Sequence, residues 1–370
     1  MVRWINVNIG ILKEIKAGES RVVLTPSEVN ELTIDGHSVL VESNAGLKAG
    51  FSNELYKVAG AQIENNAENI FKKSELVLKV KEISPEEYHL LQPNQIVYAC
   101  LHPASNKEEV DVLMESKVIS IAAEDTHQFG SPNCEVAGKL GALFGAQYLL
   151  SSNGGIGKLV GGVGGVPGIN AIVIGGGIVG RAAIDVLSSL KSQVTLLDIN
   201  IGVLREIQYQ FPNNVSTCFS NKQNIKELLP KADLVINCTK WPKQRKDHLI
   251  TRDMLALMQE NSVIVDISAD VGGAIETFKP TTLDDPVYEV DGIIHFCVDN
   301  IPGAVPNTAS IAYAAAIFPH IQSIANNGIK EALLKSKYLC RGLTTYQGTL
   351  THEETGLIQN RTWEKLHKVL

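Results

Sequence analysis

The sequence contains no apolar run near the roughly 18 residues that a membrane-spanning helix needs, so no membrane span is expected. Its six cysteines, Cys100, Cys134, Cys218, Cys238, Cys297 and Cys340, never fall in CxxC spacing, and none stands with nearby histidines in a zinc pattern. They read as reduced thiols of a cytoplasmic protein. The nine histidines include no HExxH and no histidine-rich tract, so no metal is expected. Positive charge is also short. A formal net charge of -7 and a pI near 5.8 argue against nucleic acid and anionic membranes as partners. The opening, MVRWINVNIGILKEIKAGESR, has neither the apolar core nor the small-residue cleavage site of a signal peptide. It reads as a strand entering a loop. No internal repeat or low-complexity tract stands out.

What is present suits two domains. The chain has 370 residues, of which 44% are hydrophobic, enough for sizeable cores. Short β-branched apolar runs alternate with helix-like segments. VNIGIL, HSVLVES, LVLKVK, QIVYACL and VISIAA predict strands, and PSEVNELTIDG, SNELYKVAGA, EEYHLLQ and NKEEVDVLMES predict helices. Pro26 opens the first of these helices and Gly36 follows its end. EVAGKLGALFGAQYLLS, Glu135 to Ser151, carries small residues between apolar ones and predicts a long, closely packed helix. The alternation resumes with NAIVIG, SQVTLLD, ADLVINC, SVIVDIS and IIHFCVD. Such alternation implies parallel sheets. The alanine-rich TASIAYAAAIFPHIQSIAN follows the second sheet and predicts a buried helix that returns to the first domain.

Two glycine clusters adjoin between Asn153 and Gly180. The second has full context. Strand Ala171 to Ile174 leads into Gly175-Gly176-Gly177-Ile178-Val179-Gly180, a GxGxxG, and a helix and a strand ending at Asp198 follow. Gly175 permits the tight turn, Gly177 lets backbone approach a pyrophosphate, and Gly180 lets helix and strand pack closely. The helix N-terminus offers unpaired N–H groups to the anion. Asp198, 18 residues past Gly180, can bind a ribose diol and would repel a 2′-phosphate, so NAD is expected over NADP. The first cluster, GGIGKLVGGVGGVPG, is no P-loop: Leu159 stands where Ser or Thr should follow Lys158, and Ser152 replaces the first glycine. It predicts a turn-rich hairpin in close contact with its neighbours.

Outside the nucleotide motif, three residues stand at loop edges. Arg21, in GESRVVLTP, can fork onto a carboxylate or form a surface ion pair. Lys81 shares its strand end and side-chain direction with Lys79, and either faces a ligand crevice or is solvated there. His102, after VYACL, is an acid/base candidate or a hydrogen-bonded structural histidine. In the second half, Asp270 and Asn300 close predicted strands, where such a sheet meets its ligand. Asp266 lies inside its strand and reads as structural.

Taken in order, IGILKEIKAGESRVVLTP, LVLKVKE, CLHPAS, EVAGKLGA, GGVGGVPG, VIGGGIVGRAA, LLDIN, VIVDISADVGG and VDNIPGAVPNTAS resemble the alanine dehydrogenase family, itself similar to the N-terminal part of proton-translocating transhydrogenases. The resemblance implies an α/β fold of two Rossmann-like, doubly wound parallel-sheet domains with an interdomain cleft. Residues 1–134 plus 306–370 would form a discontinuous substrate domain, and 135–305 the NAD-binding domain. It implies that Arg21 and Lys81 bind the carboxylate and carbonyl end of L-alanine or pyruvate, that His102 transfers protons, and that Asp270 completes the site. Gly175, Gly177, Gly180, Asp198, Ser220 and Asn300 would contact NAD, and with them we expect Ile267, Asp270 and Val298. Ammonium would be the third small-molecule partner, and the assembly a homo-oligomer, with a hexamer favoured.

The sequence departs from the family at several positions. PNCEVAGK replaces PMSEVAGR, so Asn133 and Cys134 stand for a pocket methionine and a serine near the cofactor. Cys100 replaces an aromatic residue two before the histidine, which predicts a smaller pocket wall. The loop Cys238 to Ile250 carries Trp241, Lys243, Arg245 and Lys246, either as a solvated surface or as a changed substrate or partner contact. Val203 replaces a basic residue near the ribose, again favouring NAD. A wider pocket from Cys100 and Asn133 would suit one alternative, an opine-type reductase similar to carboxyethyl-ornithine synthase or saccharopine dehydrogenase; a second, a catalytically silent NAD-binding redox sensor, is opposed by the retention of Arg21, Lys81, His102 and Asp270 together.

Overall fold

The computed structural model describes residues 6–242, 245–268 and 272–369. The chain divides into two compact units, Met1–Pro132 with Val305–Leu370, and Asn133–Ala304. Both are α/β. All six cysteines are free thiols.

The first unit is built on an eight-stranded sheet. Its parallel part runs in the order Ile119–Ala122, Ile96–Ala99, Leu76–Leu78, Asn8–Ile11, Ser38–Glu42, Gln62–Glu64. Leu343–Tyr346 and then Thr349–Leu350 extend it antiparallel beyond Ile119–Ala122. Near-continuous apolar runs fit strands covered on both faces. Ile9, Ile11, Val39, Val41, Leu76 and Leu78 fill one core layer, while Leu40, Val77, Val97 and Ala99 fill the other. Helix Pro306–Asn327 belongs to this unit and lays Tyr313, Ala314, Ile317, Ile321 and Ile324 into the first layer. Helix Pro26–Ile34 starts at a capping box between Thr25 and Glu28. EEYHLLQ forms a 3₁₀ turn, Pro85–Leu90, in place of the predicted α-helix.

The second unit holds seven strands in the order Val287–Val290, Ile293–Phe296, Val263–Asp266, Leu234–Asn237, Asn170–Ile174, Gln193–Asp198, Val215–Phe219. All pairings are parallel except that of Val287–Val290 with Ile293–Phe296. In both sheets the strand order reverses beside the unit's first strand, and that switch point is where open α/β sheets take ligands.

The predicted long helix spans Pro132–Tyr148 and packs as closely as its small residues suggest. A Cβ added at Gly138 would stand 2.1 Å from the Val179 carbonyl oxygen, and one at Gly145 2.7 Å from Leu234. The first glycine cluster is a hairpin, closed by reciprocal bonds between Val163 and Val166 at 3.0 and 2.8 Å. Lys158, within it, reaches Asp233 at 2.7 Å, and Asp233 also accepts the Asn170 N–H at 2.9 Å. That lysine ties the hairpin to the sheet edge.

Gly138→Ala should therefore lower stability by about 1–3 kcal/mol through overpacking against main chain that cannot retreat. Calorimetry on the variant would show a melting temperature lowered by several degrees; an unchanged value would mean the two helices separate freely.

Candidate active site

Four neighbouring strands of the first sheet end at the same edge, and the loops that leave them carry the candidate chemistry. Asn8–Ile11 leads toward Arg21, Leu76–Leu78 to Lys81, Ile96–Ala99 to His102 and Ile119–Ala122 to Glu124. Arg21 is buried and forks onto Glu19, with Nε and Nη2 donating at 2.9 and 2.5 Å. Glu19 also accepts the Arg21 main-chain N–H at 2.8 Å. Burial opposes the guanidinium charge, and the Glu19 pairing more than offsets it, so the pKa lies above the ordinary arginine value. Ser310 on helix Pro306–Asn327 holds the next residue by accepting the Val22 N–H at 3.0 Å.

Lys79 and Lys81 do not share an environment. The strand stops at Leu78, and Lys79 is buried against Glu87 at 2.5 Å. Lys81 is half-buried, and its turn is fixed by Glu14, which accepts the Val80 N–H at 2.6 Å and the Lys81 N–H at 3.4 Å. Of the two, Lys81 is the one placed to meet a ligand.

His102 lies beyond its strand in the left-handed region, φ 46°. Its main-chain N–H donates to Glu124 Oε1 at 2.6 Å, and its Nδ1 lies 3.5 Å from the same oxygen. Desolvation by surrounding protein and then the charge of Lys81 pull the imidazole pKa below its ordinary value. The side chain is still 56% exposed, so water moderates the shift, and the neutral base form prevails at neutral pH. The same Lys81 and Arg21 charges bear on Cys100, which joins the three loops into one cluster. Burial pushes the Cys100 thiol up to about 12, and its sulfur meets the Tyr313 hydroxyl at 3.2 Å. The small residue at 100 therefore stands against the hydroxyl of an aromatic side chain from helix Pro306–Asn327.

In the second unit, the turn after Asn170–Ile174 has the geometry of an anion cradle. Gly175 sits at φ 97°, and a Cβ at Gly180 would stand 1.8 Å from the Gly175 carbonyl oxygen. Gly177 caps helix Ile178–Ser189 without a side-chain bond, and a Cβ there would meet nothing within 4 Å. The helix start thus has no side-chain cap and leaves room beside Gly177, which fits a pyrophosphate. Asp198 accepts the Gly176 N–H at 2.6 Å and the Asn200 N–H at 2.7 Å, placing a carboxylate at the rim of the turn. Val203 packs beside Gly176. Ser220 is half-buried and donates its main-chain N–H to the Asp198 carbonyl at 3.0 Å. Ile267 is half-buried against the long helix at Gly141. Asn300 is buried at the start of the turn Ile301–Ala304, four residues past its strand. Val298 is a core side chain, 1% exposed, so it presents only main chain. Asp266 accepts from Asn237 Nδ2 at 2.9 Å, a structural contact. Asp270 and Lys243 lie outside the described residues. Arg245 stacks on Trp241 at 4.2 Å and forks onto Asp247 at 2.8 and 2.5 Å, so its charge is met locally.

Sequence reasoning passed over Glu14, Glu19 and Glu124. Charged residues amid apolar strand ends, next to the chosen Arg21, Lys81 and His102, were the available signal. Models of the alanine dehydrogenase/PNT N-terminal and C-terminal domains match residues 10–131 and 141–353. The chain belongs to the alanine dehydrogenase/PNT family. An alanine dehydrogenase of Methanococcus maripaludis is 37% identical over 369 residues, covering 98% of this chain and 99% of its own. One from Staphylococcus haemolyticus is 41% identical over 354 residues, covering 94% and 95%. A solved L-alanine dehydrogenase aligns at TM-score 0.90 and 37% identity, over 95% of this chain and 99% of its own. The transhydrogenase of Sinorhizobium meliloti shares the fold, at TM-score 0.79 and 22% identity over 93% and 100%.

The row of buried carboxyls should give this protein a distinct pH response. Burial raises Glu14 to about 7 and Glu109 to about 8, whereas an unfolded chain releases those protons near 4.5. Folding takes up protons across that window, so stability falls as pH rises through it. His102 and His127, with lowered pKa, act oppositely, but only below about 6.5. Urea midpoints should thus be lower at pH 8 than at pH 6.5, and Glu109→Gln should shrink the difference; a midpoint that rises over this interval would contradict it.

Proposed function

We propose that the protein catalyses reversible NAD-dependent oxidative deamination of L-alanine to pyruvate and ammonium. The observation that carries this reading is the near-full-length match to proteins named alanine dehydrogenase, at 37% and 41% identity. The row Arg21, Lys81, His102 along one strand edge supports it chemically.

Arg21, charged and braced by Glu19, presents a rigid fork to the substrate carboxylate. Lys81 offers an ammonium to the carbonyl oxygen of pyruvate and to the oxygen that forms in the hydration step. Asp270 is proposed to complete the site. Gly175, Gly177 and Gly180 shape the pyrophosphate turn, Asp198 takes the ribose diol, and Ser220, Ile267, Val298 and Asn300 are proposed to line the remainder. When bound, the nicotinamide supplies the acceptor for the Cα hydride. His102 in its neutral form removes a proton from the water that adds to the resulting iminium carbon. It then gives that proton to the amine and, neutral again, takes up the hydroxyl proton as the C–N bond of the carbinolamine breaks to give pyruvate and ammonia. Asp198 beside an uncharged Val203 favours NAD over NADP. The resemblance further supports a cytoplasmic homo-oligomer, with a hexamer favoured.

The opine-type alternative leans on a wider pocket from Cys100 and Asn133, and the Tyr313 hydroxyl 3.2 Å from the Cys100 sulfur weakens the first of these supports.

The direct test is NADH formation from NAD with a panel of L-amino acids at alkaline pH, with the reverse run on pyruvate with and without ammonium. Alanine should turn over, and the reverse should require ammonium. Consumption of NADH by pyruvate with ornithine or lysine in place of ammonium would favour the opine-type reaction. His102→Ala should lower kcat by about 10²- to 10⁴-fold while NADH binding survives; unchanged turnover would remove His102 from the chemistry. Asp198→Ala should weaken the preference for NAD, read as the ratio of kcat/KM for NAD and NADP, and an unchanged ratio would place the acid away from the ribose.

A further inference from the structure

We propose that Glu124 is the positioning residue for His102: it pins the main chain of the turn and selects the tautomer, with Nδ1–H facing the Glu124 carboxylate and Nε2 left as the proton acceptor. The inference rests on reading His102 as the base.

Three observations carry it. Glu124 follows strand Ile119–Ala122, the sheet neighbour of the strand that leads to His102. Its Oε1 accepts the His102 N–H at 2.6 Å and stands 3.5 Å from Nδ1, a gap that a small ring rotation closes. Secondly, a left-handed non-glycine residue costs on the order of 1–3 kcal/mol and persists only where its surroundings over-determine it. At His102, φ 46°, the Glu124 bond is one such constraint. Thirdly, Glu124 Oε2 is buried and has no hydrogen-bond partner among the described residues, so one oxygen of the carboxyl is left unsatisfied beside the His102 turn.

The surrounding charges make the arrangement sensitive to pH. Asp125 beside Glu124 and Glu109 on helix Lys107–Glu115 repel its negative charge, while Cys100, Tyr98 and Tyr313 face it as neutral weak acids. His102 is faced by Lys81 and Lys16 and by Glu82 and Asp125. Burial first, and then Asp125, push the Glu124 carboxyl up to about 7. Ionised, it accepts from Nδ1–H, and Nε2 carries a free lone pair. Protonated, it donates to Nδ1, and the ring proton moves to Nε2, which is no longer a base. The base is therefore present above about 7 and withdrawn below it, although the imidazole itself stays neutral across that range.

Carbethoxylation tests this without relying on turnover. Diethyl pyrocarbonate acylates the free imidazole nitrogen, and peptide mass spectrometry reads His102 in the full-length protein. Between pH 6 and pH 8 the wild-type rate should rise about tenfold, as one group titrating near 7 requires. In Glu124→Gln, which keeps an acceptor for the His102 N–H, the same interval should change the rate less than about twofold. Superimposable curves would overturn the proposal. For alanine, Glu124→Gln should lower kcat about 100-fold or more, with KM little changed, by analogy with other histidine bases held in the wrong tautomer. Glu124→Asp, which retains the carboxylate, should recover part of that loss and of the pH response, and it replaces the glutamine variant if that one does not fold. Should the wild type leave alanine untouched while the carbethoxylation difference holds, the alanine reading fails and the Glu124–His102 pairing stands.

Discussion

The candidate site of the first unit depends on one interaction: a buried carboxylate accepting main-chain N–H groups where a parallel strand ends. A strand that leaves its sheet strands its last amide groups, and an unpaired buried N–H is costly. Glu14 takes those of Val80 and Lys81, Glu109 that of Ile83 at 2.7 Å, Glu124 that of His102, and Glu19 that of Arg21. Each bond fixes the loop that holds a candidate ligand-binding side chain or stands beside one. A carboxyl suits this work because an ionised one makes a shorter and stronger bond than a carbonyl does, and a protonated one still keeps an oxygen that accepts. The cost is desolvation, visible as the raised pKa of Glu14, Glu109 and Glu124.

The second unit uses the same device at its nucleotide turn. Asp198 holds Gly176 and Asn200, and Asp266 accepts the Ser268 N–H at 3.2 Å. In both sheets the rigid part is the strand, and the loop is made rigid by a carboxylate that holds its amides, sent from the same loop at Glu19 and from a neighbouring segment at Glu14, Glu109 and Glu124. Hydride transfer tolerates little misplacement of donor and acceptor, and sites supported by locked loops meet that demand.

The apolar strands of both parallel sheets were legible because they are buried on both faces and need no alternation to be seen. The GxGxxG turn was legible because each glycine answers a steric demand that the structure shows at Gly175 and Gly180. Edge strands were not. Gln62–Glu64 is short and nowhere fully buried, and Val215–Phe219 carries Ser and Thr side by side between its apolar ends. Leu343–Tyr346 belongs to the first sheet from the far end of the chain, a pairing that no local pattern announces. Lys79 and Lys81 looked equivalent by period two. The strand ended one residue before Lys79, and the buried Glu87 partner decided which lysine turned inward. Arg21 and His102 were chosen from their loop positions, but the glutamates bracing them lie 2 and 22 residues away, and only the fold pairs the second.

Cys100 shows why single departures from a family pattern mislead. Read alone, a cysteine in place of an aromatic side chain widens a wall. In the folded unit the surroundings of that point are shared between a strand end and a helix more than two hundred residues later, and Tyr313 brings its hydroxyl to the thiol. Close-packed interiors conserve volume over a neighbourhood and not at a position. The Trp241–Arg245–Asp247 loop makes the parallel point for charge: a guanidinium stacked on an indole and forked onto an aspartate adds little to the field beyond its loop. A departure changes specificity only if the change survives such local compensation. By that criterion the alanine reading withstands Cys100, because the thiol is buried against the Tyr313 hydroxyl that another segment contributes.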